Sequence, residues 1–209
     1  MDHELPAVSL PAIHEDFARE WRAEILPARP LILPPRHFVY PREAEEVERG
    51  ALEVLIHPGV VPGVIRPEVI QGGAEDRQPF LATCAVGFAG AAVPTGIWSA
   101  PSPRELCAVS GGYAYLIDTS KPGRFSMIPY RPVLEVRAVP ALGLLLFVGH
   151  RSIFAWGSGG QAWESPSLSD EGLTLSAING ETLHGLGWQM MTDKETPFAV
   201  DLRTGLPTR

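Results

Sequence analysis

The chain has 209 residues, 45% of them apolar and 20% charged, which suits one sizeable folded domain and excludes a disordered chain. Pro and Gly number 21 each, and Pro stands at about twice its usual share, so short elements joined by many turns are expected in place of long helices. A net charge of −7 argues against nucleic acid as a partner, and the most apolar run, Leu142 to Val148, is far shorter than the ~20 residues of a membrane-spanning helix.

The first six residues carry neither a basic nor an apolar signal region, so a cytoplasmic location is expected. Residues 1–11 read as a loose arm. Ile13, Phe17, Trp21 and Ile25 then recur every four positions, and the spacing predicts an amphipathic helix over about 12–26, set off by Pro11 and stopped by Pro27. Its apolar stripe either packs on the body or captures a partner protein through Phe17 and Trp21. Five prolines between Pro27 and Pro41 predict an extended segment hugging the surface, outside the core. A short acidic helix is expected over 41–49, a strand over 51–57, and a long loop over 58–79 with a brief strand near Val64 and Ile65.

From Phe80 onward, short β-branched and aromatic runs follow one another between turn residues. Strands are expected at 80–88, 95–99, 105–110, 113–118, 124–128, 133–138, 144–149, 152–156, 161–164, 172–178, 182–188 and 197–202. Asn179-Gly180 predicts a tight type I′ hairpin between two of them. The chain therefore divides into an N-terminal arm, 1–79, that packs on a β body, 80–209. Cys84 and Cys107 lie in two of the apolar runs and read as a reduced, buried pair, although a disulfide between neighbouring strands is geometrically open.

Three segments align at their ends: Tyr115-Leu116-Ile117-Asp118, Phe154-Ala155-Trp156-Gly157 and Phe198-Ala199-Val200-Asp201. Their last residues are 39 and 44 positions apart, and each segment runs into a turn. Phe198 to Asp201 with Thr204-Gly205 following, and Phe154 to Trp156 with Gly159-Gly160 and Trp163 following, resemble the repeats of β-propeller proteins of the quinoprotein and WD type. From residue 80 the chain also resembles an uncharacterised bacterial protein family with no assigned activity. The resemblance implies a mainly β fold, a propeller-like stack of short antiparallel meanders, each burying its face on its neighbours. A β-sandwich is the alternative, because 80–209 holds only three to four such units. A quinone-dependent dehydrogenase fits poorly, since the chain is far too short for that ring and has no vicinal cysteine pair. No cofactor is expected.

The sequence contains no phosphate-cradling loop, nucleophile elbow or zinc signature, so neither a catalytic group nor a metal site is expected. His150 and His184 each follow a repeat's apolar strand, and with Arg151, Asp170 and Glu171 nearby they define a polar patch at one end of the β body. Trp98 and Trp188 adjoin turn-rich stretches and are the candidate binding platforms. Asp118 and Asp201 are expected to accept hydrogen bonds from the turns that follow them. The function these features suggest is a non-catalytic binding or protein-interaction module. The alternative is a small-molecule enzyme with its site near His150 and His184. A protein is the expected partner, a small molecule the second, and self-association is open.

Overall fold

The computed structural model describes residues 11–42, 50–59, 78–88 and 93–208. Sixteen strands form four sheets among them. Sheet 1 contains β2 (Trp21–Leu26), β4 (Ala51–Pro58), β5 (Phe80–Ala85) and β3 (His37–Tyr40), in that order. Sheet 2 runs β1 (Ala12–His14), β6 (Gly96–Ser99), β7 (Glu105–Ser110), β8 (Tyr113–Asp118) and β9 (Phe125–Met127). Sheet 3 runs β10 (Glu135–Val139), β11 (Leu144–Val148), β12 (Ile153–Gly157) and β13 (Gly160–Glu164), and sheet 4 runs β14 (Leu173–Asn179), β15 (Thr182–Gln189) and β16 (Lys194–Asp201). The protein is thus mainly β, with a 3-10 turn at Pro140–Leu142 among the described residues. Among the described residues no helix is long and apolar enough to cross a membrane.

The expected helix over 12–26 does not form. Residues 12–14 lie beside β6 as a parallel strand, and Trp21–Leu26 pairs antiparallel with β4. A four-residue spacing is also two strand periods, so Trp21 and Ile25 share a sheet face as readily as a helix face. The Pro-punctuated segment likewise yields a core strand. His37–Tyr40 pairs parallel with β5, and Tyr40 is buried, its hydroxyl donating to the Pro122 carbonyl at 2.9 Å. Pro41 directly follows this edge strand, where its missing N–H costs no ladder bond. The expected acidic helix over 41–49 and the strand near Val64 fall almost wholly outside the described residues.

Every strand expected from residue 80 onward is present, with ends shifted by a few residues. The sharpest hairpin differs in its turn. Asn179 pairs with Thr182, so the loop is Gly180-Glu181. Only Gly180 has positive φ (59°), which is the requirement of a type II′ turn and not of type I′.

The sheets stack face to face in the order 1, 2, 3, 4, with an apolar cluster at each of the three junctions. Strands of sheet 2 send Leu106, Ala108, Tyr115 and Ile117 towards sheet 1 and Cys107, Val109, Ala114 and Leu116 towards sheet 3. Such two-sided burial explains why these strands read as unbroken apolar runs. Sheet 3 likewise sends Leu145 and Phe147 one way and Leu144, Leu146 and Val148 the other, where Leu183 and Val200 of sheet 4 meet them. Among the described residues the stack closes into neither a barrel nor a ring. Because β5 pairs with β3 and β4, sheet 1 draws strands from both sides of residue 80.

The three aligned segments hold one structural position: each is the third strand of an up-and-down meander, in β8, β12 and β16. In sheet 4 the fourth strand is rudimentary. The Asp201 N–H donates to the Leu206 carbonyl and the Thr208 N–H to Ala199, with a bridge at Val200 and Pro207. Asp118 accepts from Ser120 N and Lys121 N, and Asp201 from Arg203 N and Thr204 N, as expected of carboxylates that hold the next turn.

Candidate functional site

Residues of sheets 1 and 2 together line a cavity of about 550 Å³. It lies at the C-terminal ends of β2 and β7 and the N-terminal end of β4, which supply Ile25, Leu26, Ser110, Ala51 and Leu52 to its wall. Most of the described lining is apolar; the polar members are Glu53, Thr95 and Ser110. Both the volume and the mixture of an apolar wall with a few polar groups are typical of small-molecule pockets.

Ser110 is fully buried, and its Oγ is the one buried side-chain polar atom among the described residues without a hydrogen-bond partner. An orphaned buried hydroxyl costs about 1–3 kcal/mol and is uncommon in folded proteins. The neighbouring Thr95 is partly committed, its Oγ1 accepting the Gly111 N–H at 2.9 Å.

Glu53 is 4% exposed, and its charge is neutralised in place. Oε1 accepts from Arg29 Nε at 2.8 Å and Oε2 from the Thr83 hydroxyl at 2.6 Å. With that hydroxyl proton committed to Glu53, the His37 Nε2–H donates to Thr83 Oγ1 across 2.8 Å. The chain Arg29–Glu53–Thr83–His37 therefore crosses the outer face of sheet 1 towards its parallel edge. Such a buried carboxylate is tolerable only because both oxygens are satisfied. Below it, Cys84 is a buried free thiol, and burial, with the Glu53 charge adding to it, pushes its pKa up. Cys107 is also free and buried, and it belongs to the cluster on the far side of sheet 2.

The residues singled out from the sequence lie elsewhere. Trp21 is fully buried, and its indole N–H donates to the Glu105 carbonyl at 3.0 Å, so it is a core residue and belongs to no partner helix. Phe17 is half-buried against the cluster between sheets 2 and 3, in a loop tied down by its own N–H to Ser99 Oγ at 2.9 Å. Trp98 is 7% exposed and stacks on His14 with ring centroids 4.5 Å apart, which makes it core and leaves no free platform.

His150 and Arg151 are exposed in the β11–β12 turn. The segment 165–172 crosses beside them: Gly172 N–H donates to the His150 carbonyl, and Asp170 stands 3.8 Å from the Arg151 guanidinium. The same segment holds the end of β15, since Asp170 N–H and Ser169 Oγ both donate to the Trp188 carbonyl. Half-buried Trp188 borders a second, more open cleft of about 420 Å³ together with Glu171 and Glu195. His184 stands apart, opposite Ala177 and Ala199 on the outer face of sheet 4. His150, Arg151 and Trp188 thus converge on one connection, and His184 does not join them.

Ser110 and Glu53 were not singled out from the sequence, because a serine ending an apolar strand and a glutamate inside one carry no local signature. Only the register that sets Glu53 opposite Thr83 reveals the network. The chain matches no protein-family model, and no curated protein matches it.

Proposed function

We propose that this protein is a non-catalytic binding module, built from propeller-like β repeats, that holds a small molecule in the cavity between sheets 1 and 2. The observation that carries the reading is the Ser110 hydroxyl, fully buried, without a partner and on the cavity wall. The propeller-like description is supported by the three aligned segments, which recur at the third strand of successive face-to-face meanders. Binding is favoured over catalysis because Glu53, the one titratable side chain on the described lining, is paired with Arg29 and Thr83 and has no second titratable group beside it there. The test is mass spectrometry of small molecules released from natively purified protein, compared with an Ile25→Trp variant that fills the cavity. A compound retained by the wild type and lost from the variant is expected. No retained compound, together with no change in melting temperature on adding a cellular small-molecule extract, counts against the reading.

A second reading, interaction with a protein, rests on sheet 4. Its outer face carries Leu186 and Trp188, both half-buried, and beyond them Met190 and Met191 are 65% and 94% exposed. Apolar side chains in such positions are common at protein contacts, and methionine adapts to varied partners.

A further inference from the structure

We infer that the ligand of the cavity between sheets 1 and 2 is an uncharged, mainly apolar molecule bearing one oxygen that hydrogen-bonds Ser110. The inference rests on the proposed function above and deepens it.

Among the described residues the wall offers no free charge of either sign. A cationic ligand needs a free anion, and the Glu53 carboxylate is already divided between Arg29 and Thr83. An anionic ligand needs a free cation, and no cationic side chain lies on the described lining. An uncharged ligand meets neither penalty, because the Arg29–Glu53 pair presents itself as neutral. The remaining wall, formed by Ile25, Leu26, Ala51, Leu52 and Val86, offers only dispersion and burial. Ser110 Oγ has a proton to donate and lone pairs to fill, so a hydroxyl or carbonyl oxygen on the ligand completes it. Thr95 has already used one of its lone pairs on the Gly111 N–H, which makes Ser110 the anchor. A hydrocarbon of the same shape would fill the space and leave the orphan unsatisfied; an alcohol or ketone satisfies both requirements.

The experiment uses four probes of one chain length: 1-octanol, 1-chlorooctane, octanoate and octylammonium. Their affinities are measured by the rise in melting temperature and by isothermal titration, with the wild type and with Ser110→Ala. Octanol is expected to bind the wild type more tightly than the other three. In the Ser110→Ala protein octanol should weaken about fivefold, one ordinary neutral hydrogen bond, to the level of chlorooctane, whose own affinity stays the same. Since Ser110 Oγ holds no partner, the unliganded variant should melt at or above the wild-type temperature. Tighter binding of octanoate or octylammonium than of octanol overturns the inference about ligand class and leaves the cavity a binding site. An octanol preference that survives Ser110→Ala overturns the anchor. Binding of none of the four overturns the proposed function together with the inference.

Discussion

Glu105 joins three sheets by itself. Its backbone carbonyl accepts the indole N–H of Trp21 from sheet 1, and its carboxylate accepts the indole N–H of Trp156 from sheet 3 at 3.0 Å. The carboxylate is half-buried, and that burial raises its pKa, with the Trp156 hydrogen bond working in the opposite direction. A carboxyl whose pKa is raised on folding binds its proton more tightly in the native state. Its contribution therefore favours folding at low pH and is lost as pH rises from the ordinary carboxylate range through the raised value. Glu105→Gln keeps an acceptor for Trp156 and removes the charge. The variant's melting temperature, relative to wild type, should rise across that window and be constant below it; a difference that does not vary with pH refutes the argument. At this scale the sequence was informative wherever the chemistry is local. Asp118 and Asp201 bond N–H groups two and three residues ahead, so their turns could be read directly. Glu53, Ser110 and Glu105 depend on partners far along the chain, and nothing near them announces it.

Among the elements, β15 shows how a neighbour can dictate composition. The strand carries Gly185 and Gly187 on the face that Leu183 buries; Phe198 and the Thr174 carbonyl lie over Gly185, and the segment 165–172 passes directly over Gly187. A Cβ on Gly187 would lie 2.2 Å from the Leu168 carbonyl oxygen, a backbone atom that cannot swing aside. Gly187→Ala should therefore destabilise the protein by roughly 3 kcal/mol, the upper end for overpacking, as measured by urea unfolding; Gly159→Ala, where no atom lies within 4 Å, serves as the control. Strand positions from residue 80 onward were legible because β-branched runs alternate with turn residues. The N-terminal third was not. Prolines suggested that 27–41 avoids the core, although a four-residue edge strand fits between Pro35 and Pro41. The helix expected at 12–26 failed because periods of two and four coincide over so few residues, and the loop between β1 and β2 is instead fastened by Arg19 with Glu15 at 2.6 Å.

Across the whole molecule, sheets 2 and 3 each have packed neighbours on both faces, whereas the outer face of sheet 4 is open. In a linear stack, stability is close to a sum over units and the junctions between them. Amide hydrogen exchange should accordingly be fastest in β14 and β16 and slowest in β7, β8 and β11; uniform protection across the four sheets would show a single cooperative block. The recurrence of the third-strand motif was readable as a period. The stacking order was not, because the inner strands β7, β8, β11 and β12 are apolar on both faces and so carry no sign of which neighbour lies on which side.

The two parallel pairings bear on how the chain is made. Ala12–His14 has its place only beside Gly96–Trp98, and His37–Tyr40 only beside Leu81–Cys84, whereas the meanders of sheets 3 and 4 pair strands that follow one another directly. During synthesis the earliest strand must wait until residue 98 has left the ribosome, and the cavity wall it adjoins cannot be complete before then. Each later meander can close as soon as its own residues emerge. The end of the protein that we assign to ligand binding is thus the one whose first strands wait longest for their partners, although they are the first to be made.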